Sequence, residues 1–144
     1  MPSHNSQFCN CLHYTAMAFA RKMNGLAEEA FAWTGLAPSY AFLLMAANRR
    51  PGITPTELSG ELMLTPSTIT RLVEKLEGKG LVQRKTQGRQ TEIYPTQKSL
   101  EIDQQLRNSW QQLYREYTAV LGEKEAVSLT HSLNRAVGLL EEEE

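Results

Sequence analysis

The sequence is poor in the residues that carry most enzyme and metal chemistry. Its 144 residues include only two cysteines and three histidines. These five side chains, Cys9, Cys11, His4, His13 and His131, do not have the spacing of metal ligands. The chain also lacks a glycine-rich phosphate loop and a nucleophile elbow. We therefore expect a protein that is not an enzyme, with no catalytic residues, no metal and no cofactor.

Long hydrophobic runs are also missing. No stretch approaches the roughly 18 consecutive apolar residues that a transmembrane helix needs. The first seven residues lack the basic and apolar regions of a secretory signal peptide. The sequence therefore predicts a cytoplasmic protein without a membrane partner, in which both cysteines are mostly reduced thiols.

Net charge is only -1, but the charges are unevenly distributed. Residues 62–98 contain seven basic and three acidic residues, whereas residues 99–144 contain four basic and nine acidic residues. Residues 1–61 are balanced. A basic excess confined to one stretch is what a surface facing phosphates requires.

That basic stretch follows two helix-start signals. Thr54-Pro55-Thr56-Glu57 has the N-cap, first-turn proline and third-position glutamate of a capping box. Eleven residues later a second cap begins at Thr65-Pro66. Two short helices joined by a tight turn indicate a helix-turn-helix.

The second of these helices is predicted over Pro66–Glu77. Its apolar residues Ile69, Leu72, Val73 and Leu76 are spaced as one buried stripe. The opposite face carries short hydroxyls and charges, namely Ser67, Thr68, Thr70, Arg71, Glu74 and Lys75. Such a face suits a recognition helix that enters the DNA major groove.

A β-hairpin is predicted directly after this helix. The β-prone runs 81–85 and 91–94 flank a turn that contains Gly88. A hairpin in this position is a wing, and its cations Arg84, Lys85 and Arg89 are candidates for contact with phosphates or the minor groove.

The stretch 54–94 resembles the winged-helix regulators of the MarR family. The matching segments are Ser67–Val73, Leu76–Arg84 and the wing residue Arg89. The chain departs from the family in the wing, where Gln87-Gly88 stands in place of the usual aspartate before the arginine. The resemblance covers roughly a third of the chain.

The resemblance implies a homodimeric transcriptional regulator that binds double-stranded DNA at a pseudo-palindromic operator. The resemblance further implies a repressor in a bacterial or archaeal cell, which a small aromatic ligand or an oxidant releases from DNA. An open alternative is a winged helix that binds another protein and does not contact DNA.

The rest of the chain is predicted to be helical. Periodic apolar residues indicate helices over 8–33, 40–48, 97–121 and 123–140, of which 40–48 is apolar nearly all round and central. The predicted fold class is therefore mainly α with a small β-hairpin wing. Within one MarR-type domain, 1–144, we assign 38–95 to the winged helix-turn-helix, and 1–34 and 97–144 to dimerisation helices.

Three sets of site residues follow. The DNA-binding candidates are Ser67, Thr68, Thr70, Arg71, Lys75, Arg84, Lys85 and Arg89. The resemblance implies an effector pocket between the dimer helices and the winged module, with His13, Tyr14, Met17, Tyr40 and Arg84 as candidates.

The third set is the cysteine pair, Cys9 and Cys11. One branch of the family senses oxidants through a cysteine near the start of the first helix, and a helix N-terminus favours the reactive thiolate. On a helix these two thiols would lie about 200° apart, which disfavours a bond between them. The alternative is that both are small hydrophobic packing residues.

Overall fold

The predicted fold class is confirmed by a computed structural model, which describes residues 5–143. In these residues the chain forms six α-helices and one antiparallel hairpin. The elements are α1 (Leu12–Phe31), a 3-10 turn (Ala32–Thr34), α2 (Pro38–Arg49), α3 (Pro55–Leu62), α4 (Pro66–Gly78), β1 (Val82–Gln87), β2 (Gln90–Pro95), α5 (Gln97–Leu121) and α6 (Glu123–Glu142). Residues 1–4 and 144 of the predicted terminal segments, with His4, lie outside the described residues.

The described chain divides into two compact units. Residues 28–110 form the winged unit, and residues 5–27 with 111–143 form the terminal-helix unit. The assignment of 1–34 and 97–144 to dimerisation remains a prediction.

Helix α2 is the centre of the winged unit, as its apolar sequence predicts. Leu43, Leu44 and Ala47 are completely buried. Leu58 of α3 and Ile69 of α4 are buried as well, so the helix-turn-helix packs its apolar stripe inward. Burying a leucine or isoleucine side chain contributes about 1.5–3 kcal/mol to the stability of the fold. Because the apolar side of α4 is held in the core in this way, its opposite face is directed toward solvent.

A polar network fixes the start of α5 on the end of α2. The Ser99 hydroxyl donates to Asn48 Oδ1 at 2.6 Å, and Asn48 Nδ2 donates to Asp103 Oδ1 at 2.8 Å. Arg107 Nε in turn donates to Asp103 Oδ2 at 2.8 Å. Ser99 is fully buried, so its hydroxyl needs this partner.

The terminal-helix unit leaves much apolar surface in contact with solvent. Leu113 and Ala126 are buried. By contrast, Leu12 is 78%, Val120 81% and Leu140 69% exposed. Exposed apolar residues in this number are typical of an interaction surface.

The start predicted for the first helix is wrong, because α1 begins at Leu12 and not at Phe8. Before it, the Cys9 amide donates to the Ser6 carbonyl and the Cys11 amide to the Phe8 carbonyl. The two cysteines therefore lie in turns ahead of the helix, and the helical angle of about 200° does not apply to them.

Among the described residues, no single helix has both the length and the apolar content to cross a membrane. Taken together, the bent pair of α1 and α2 has the length and apolar content that a membrane span needs.

Candidate nucleic-acid interface

The first helix of the helix-turn-helix starts with the predicted capping box. The Thr54 hydroxyl accepts from the Glu57 amide at 3.2 Å, and the Glu57 carboxylate accepts from the Thr54 amide at 3.1 Å. Glu57 also forms an ion pair with Arg50. Two of the amides that a helix start leaves unpaired are thereby satisfied, so α3 begins at a defined residue.

The turn between α3 and α4 is tight because Met63 adopts a left-handed conformation, with φ 55°. The Ser59 hydroxyl donates to the Leu64 carbonyl at 2.5 Å, and the Leu64 amide donates to the Ser59 carbonyl at 3.2 Å. These bonds close the turn and fix the direction in which α4 leaves it.

Helix α4 starts at the second predicted cap. The Thr65 hydroxyl accepts from the Thr68 amide at 3.3 Å and donates to the Thr68 hydroxyl at 2.9 Å. The Thr70 hydroxyl donates to the Pro66 carbonyl at 3.0 Å. Thr68 and Thr70 thus have ordered side chains before any ligand binds, and each hydroxyl oxygen keeps a lone pair for a donor.

The outward face of α4 is the one that the sequence predicts. Ile69, Leu72, Val73 and Leu76 are buried on the inner side. The exposed polar and charged residues on this helix are Ser67, Thr70, Arg71, Glu74 and Lys75, with Thr68 partly exposed. The face combines hydroxyl, cationic and carboxylate groups that can pair with base edges.

The wing is a hairpin with a two-residue loop, since Gln87 pairs with Gln90. Gly88, the first loop residue, has φ 64°, a conformation that L side chains rarely adopt. Ile53 extends the ladder by pairing with Ile93, whose side chain is completely buried. This added bridge attaches the wing to the segment that leads into α3.

All three predicted wing cations, Arg84, Lys85 and Arg89, are exposed. Lys85 Nζ lies 4.6 Å from the centre of the Tyr94 ring. The hydrogen bond from Tyr94 to Glu92, 3.2 Å long, raises the pKa of the Tyr94 phenol. Arg89 forms the wing tip and lines a polar cleft of about 390 Å³ together with Thr54, Pro55, Thr56, Gln90 and Thr91.

The third predicted wing cation, Arg84, is paired within the protein. Its Nε and Nη2 donate to Glu77 Oε1 at 3.1 and 2.7 Å. Glu77 is not among the predicted site residues, because its position in the last turn of α4, seven residues before Arg84, does not by itself identify the pair.

The remaining predicted site residues are divided between the two units. His13, Tyr14 and Met17 are exposed on α1 in the terminal-helix unit. Tyr40 and Arg84 belong to the winged unit. The effector pocket built from these five residues therefore stays a prediction.

Cys9 and Cys11 are both exposed. Among residues 5–143, no group of three or more potential metal ligands lies close enough to hold an ion.

The helix-turn-helix, its outward polar face and the hairpin together define a winged helix-turn-helix protein. Residues 37–87 match the sequence model of the MarR family. This segment contains α2, α3, α4 and β1, and the resemblance of the chain to the MarR family is confirmed.

Two solved structures share the fold over most of the chain. A probable transcriptional regulator from Pseudomonas aeruginosa aligns with a TM-score of 0.80 at 18% identity, covering 88% of this chain and 97% of the other. S. aureus MepR in complex with DNA aligns with a TM-score of 0.76 at 18% identity, covering 90% and 97%.

A partial relative is a riboflavin kinase from Thermococcus kodakarensis, which is 41% identical over 61 residues. The match covers 42% of this chain and 29% of that kinase. The chain therefore matches less than a third of the kinase's length.

Proposed function

We propose that the protein is a homodimeric transcriptional regulator that binds double-stranded DNA in a sequence-specific manner. Each copy inserts α4 into a major groove, and the wing follows the neighbouring backbone. The observation that carries this proposal is the outward face of α4, where Ser67, Thr70 and Arg71 are exposed while the apolar stripe is fully buried. The DNA complex of the similarly folded MepR supports the same use of the fold.

A second copy of this chain is the proposed partner of the terminal helices. Leu12, Val120 and Leu140 are more than two-thirds exposed. Covering them in a two-fold dimer removes apolar surface from water and places two recognition helices on one side of the duplex. The matching operator is a pseudo-palindrome with half-sites about one helical turn apart.

The proposed regulatory role is cytoplasmic repression relieved by an effector. The resemblance to the MarR family implies two effector classes, a small aromatic ligand and an oxidant. The oxidant class is supported by the exposure of both thiols next to the N-terminus of α1. The aromatic class depends on the predicted pocket of His13, Tyr14, Met17, Tyr40 and Arg84.

Selection from a random-sequence duplex library, followed by binding measurements across salt concentrations, tests the DNA-binding proposal. We expect enrichment of a pseudo-palindromic sequence, and an affinity that falls as salt rises because counterions are released from phosphates. Failure to enrich any duplex, with no salt-dependent binding, would contradict the DNA-binding proposal and favour the alternative of a winged helix that binds a protein partner.

A further inference from the structure

The carboxylate of Glu77 is held by both the main chain and the side chain of Arg84. Arg84 Nε and Nη2 donate to Oε1 at 3.1 and 2.7 Å, and the Arg84 amide donates to Oε2 at 3.3 Å. Glu77 lies in the last turn of α4, and Arg84 lies in β1. The pair therefore joins the recognition helix directly to the first strand of the wing.

The electrostatics of this pair favour its charged form. The hydrogen bonds and charge of Arg84 lower the pKa of the Glu77 carboxyl, and Glu77 raises the pKa of the Arg84 guanidinium. The two charges cancel locally. Arg84 consequently adds little net attraction for phosphates, and Glu77 adds little repulsion.

We propose that Glu77 and Arg84 form a wing clamp, a positioning pair that sets the direction of the wing relative to the recognition helix. The proposal rests on the DNA-binding function proposed above. It assigns Arg84 a role inside the protein, in place of the phosphate contact that its sequence position predicts. Lys85 and Arg89, which are exposed on the same hairpin, are left as the cations for the DNA backbone.

A direct phosphate contact by Arg84 would break this arrangement. Moving the guanidinium to DNA leaves the Glu77 carboxylate unpaired on a helix that lies against a polyanion. It also removes the partner of the carboxylate that accepts the β1 amide. The clamp avoids both costs, because the Glu77 carboxylate keeps its charge-assisted hydrogen bonds from Arg84.

The sign of the effect of Glu77→Gln separates the two roles. If Arg84 contacts phosphate, Glu77→Gln strengthens binding because it removes a negative charge beside DNA. Arg84→Gln then lowers the salt slope, which is the steepness with which log affinity falls with log salt concentration, by about one unit. If the clamp positions the wing, Glu77→Gln weakens binding by about two- to fivefold, the range expected for losing an exposed ion pair. Arg84→Gln then weakens binding to a similar extent with an unchanged salt slope.

The experiment uses the full-length protein and a labelled random-sequence duplex, with Glu77→Gln, Arg84→Gln and the double variant. The clamp predicts that the double variant binds no more weakly than the weaker single variant, because both changes break one interaction. Tighter or unchanged binding by Glu77→Gln, or additive losses in the double variant, overturns the proposal.

Hydrogen exchange without DNA provides an independent measurement. Both single variants should speed amide exchange in residues 82–95, while the amides of the buried stripe of α4 keep their wild-type protection. Unchanged exchange in the wing contradicts the clamp even where DNA binding is altered. If the wild type binds no duplex, the DNA-binding function fails, and the exchange data still decide whether the pair holds the wing.

Discussion

At the scale of single residues, Arg71 is the best-placed side chain for direct contact with a base. It is exposed on the outward face of α4. Arginine can form two parallel hydrogen bonds with guanine, and losing such a pair costs about 1–3 kcal/mol of discrimination. Arg71→Ala should therefore relax sequence preference as well as weaken binding.

The measurement for Arg71 is competition between the selected duplex and its single-base variants. Arg135→Ala, which removes the same charge from an exposed position on α6, is the matched control and should bind like the wild type. Equal preference by Arg71→Ala and the wild type at every base position would show that Arg71 does not contact a base edge. The paired alanines at Ser67 and Thr68 should relax preference at other positions.

Lys85 has a different expected role, because it lies on the wing and its ammonium is a point charge. Lys85→Ala should weaken binding to all duplexes alike and reduce the salt slope by about one unit. Its contact with the Tyr94 ring, at 4.6 Å, keeps the ammonium near the hairpin without neutralising it. Lys124→Ala, which removes the same charge from an exposed position on α6, is the control. Equal salt slopes for Lys85→Ala and the wild type would rule out the phosphate contact.

At the scale of elements, local signals determine the helix-turn-helix. The capping box at Thr54 and Glu57 satisfies amides that α3 cannot pair internally. Thr54→Ala should lower the free energy of unfolding by about 1 kcal/mol, the usual cost of losing an N-cap. Thr56→Ala, exposed in the same first turn but outside the box, should be neutral or slightly stabilising, because alanine favours helices.

Chemical denaturation of both threonine variants measures this prediction. A loss for Thr56→Ala as large as that for Thr54→Ala would show that the cap does not set the stability of α3.

The wing clamp makes the stability of the protein depend on pH. The pKa of Glu77 in the folded protein lies below its ordinary value of 4.5, because Arg84 stabilises the carboxylate. The ionised form therefore stabilises the folded state above about pH 4.5, and this contribution disappears as pH falls through the lowered pKa. For an exposed pair the contribution is at most about 1 kcal/mol.

Parallel denaturation of the wild type and Glu77→Gln across pH measures this contribution. The difference in unfolding free energy should be present at neutral pH and shrink toward zero in acid. A difference that is constant with pH would mean that the pair is not formed in solution.

The elements predictable from sequence are those with local determinants. Gly122 ends α5 at the predicted residue, Leu121, and Thr65 starts α4 where its cap predicts. The start of α1 was not predictable from periodicity, since the apolar Phe8 fits the helical stripe but lies in a turn. The Glu77–Arg84 pair was missed because it joins two elements, and the charge of a residue alone does not reveal its partner.

At the scale of the whole molecule, assembly should depend on the terminal helices. If the exposed apolar residues of α1 and α6 cover one another in a dimer, Leu133→Glu should produce monomers, because it buries an unpaired charge. Ser128→Glu adds the same charge at another exposed position of α6 and is the control. Deleting residues 1–12 or 123–144 should give monomers or aggregates.

Light scattering coupled to size-exclusion chromatography measures the oligomeric state of these variants. A wild-type protein that is a single monomeric species at micromolar concentration would contradict the dimer, and with it the spacing of the operator half-sites.

Control of DNA binding by oxidation is also a property of the whole molecule, since the thiols and the recognition helix belong to different units. Cys9 and Cys11 are exposed, and the Cys11 carbonyl accepts from the Thr15 amide at 3.0 Å, which places Cys11 at the N-terminal end of α1. Peroxide converts a thiolate to a sulfenic acid, with transfer of one oxygen and release of water or hydroxide.

An oxidised Cys11 places a polar group beside the exposed apolar residues Phe8 and Leu12, where the dimer helices are proposed to meet. We expect mild peroxide to weaken binding of the wild type to its selected duplex, and a thiol reductant to restore it. Cys11→Ser should be insensitive to peroxide, whereas Cys9→Ser should respond like the wild type. Unchanged wild-type affinity after peroxide would assign both cysteines to packing, and insensitivity of Cys9→Ser alone would make Cys9 the sensor.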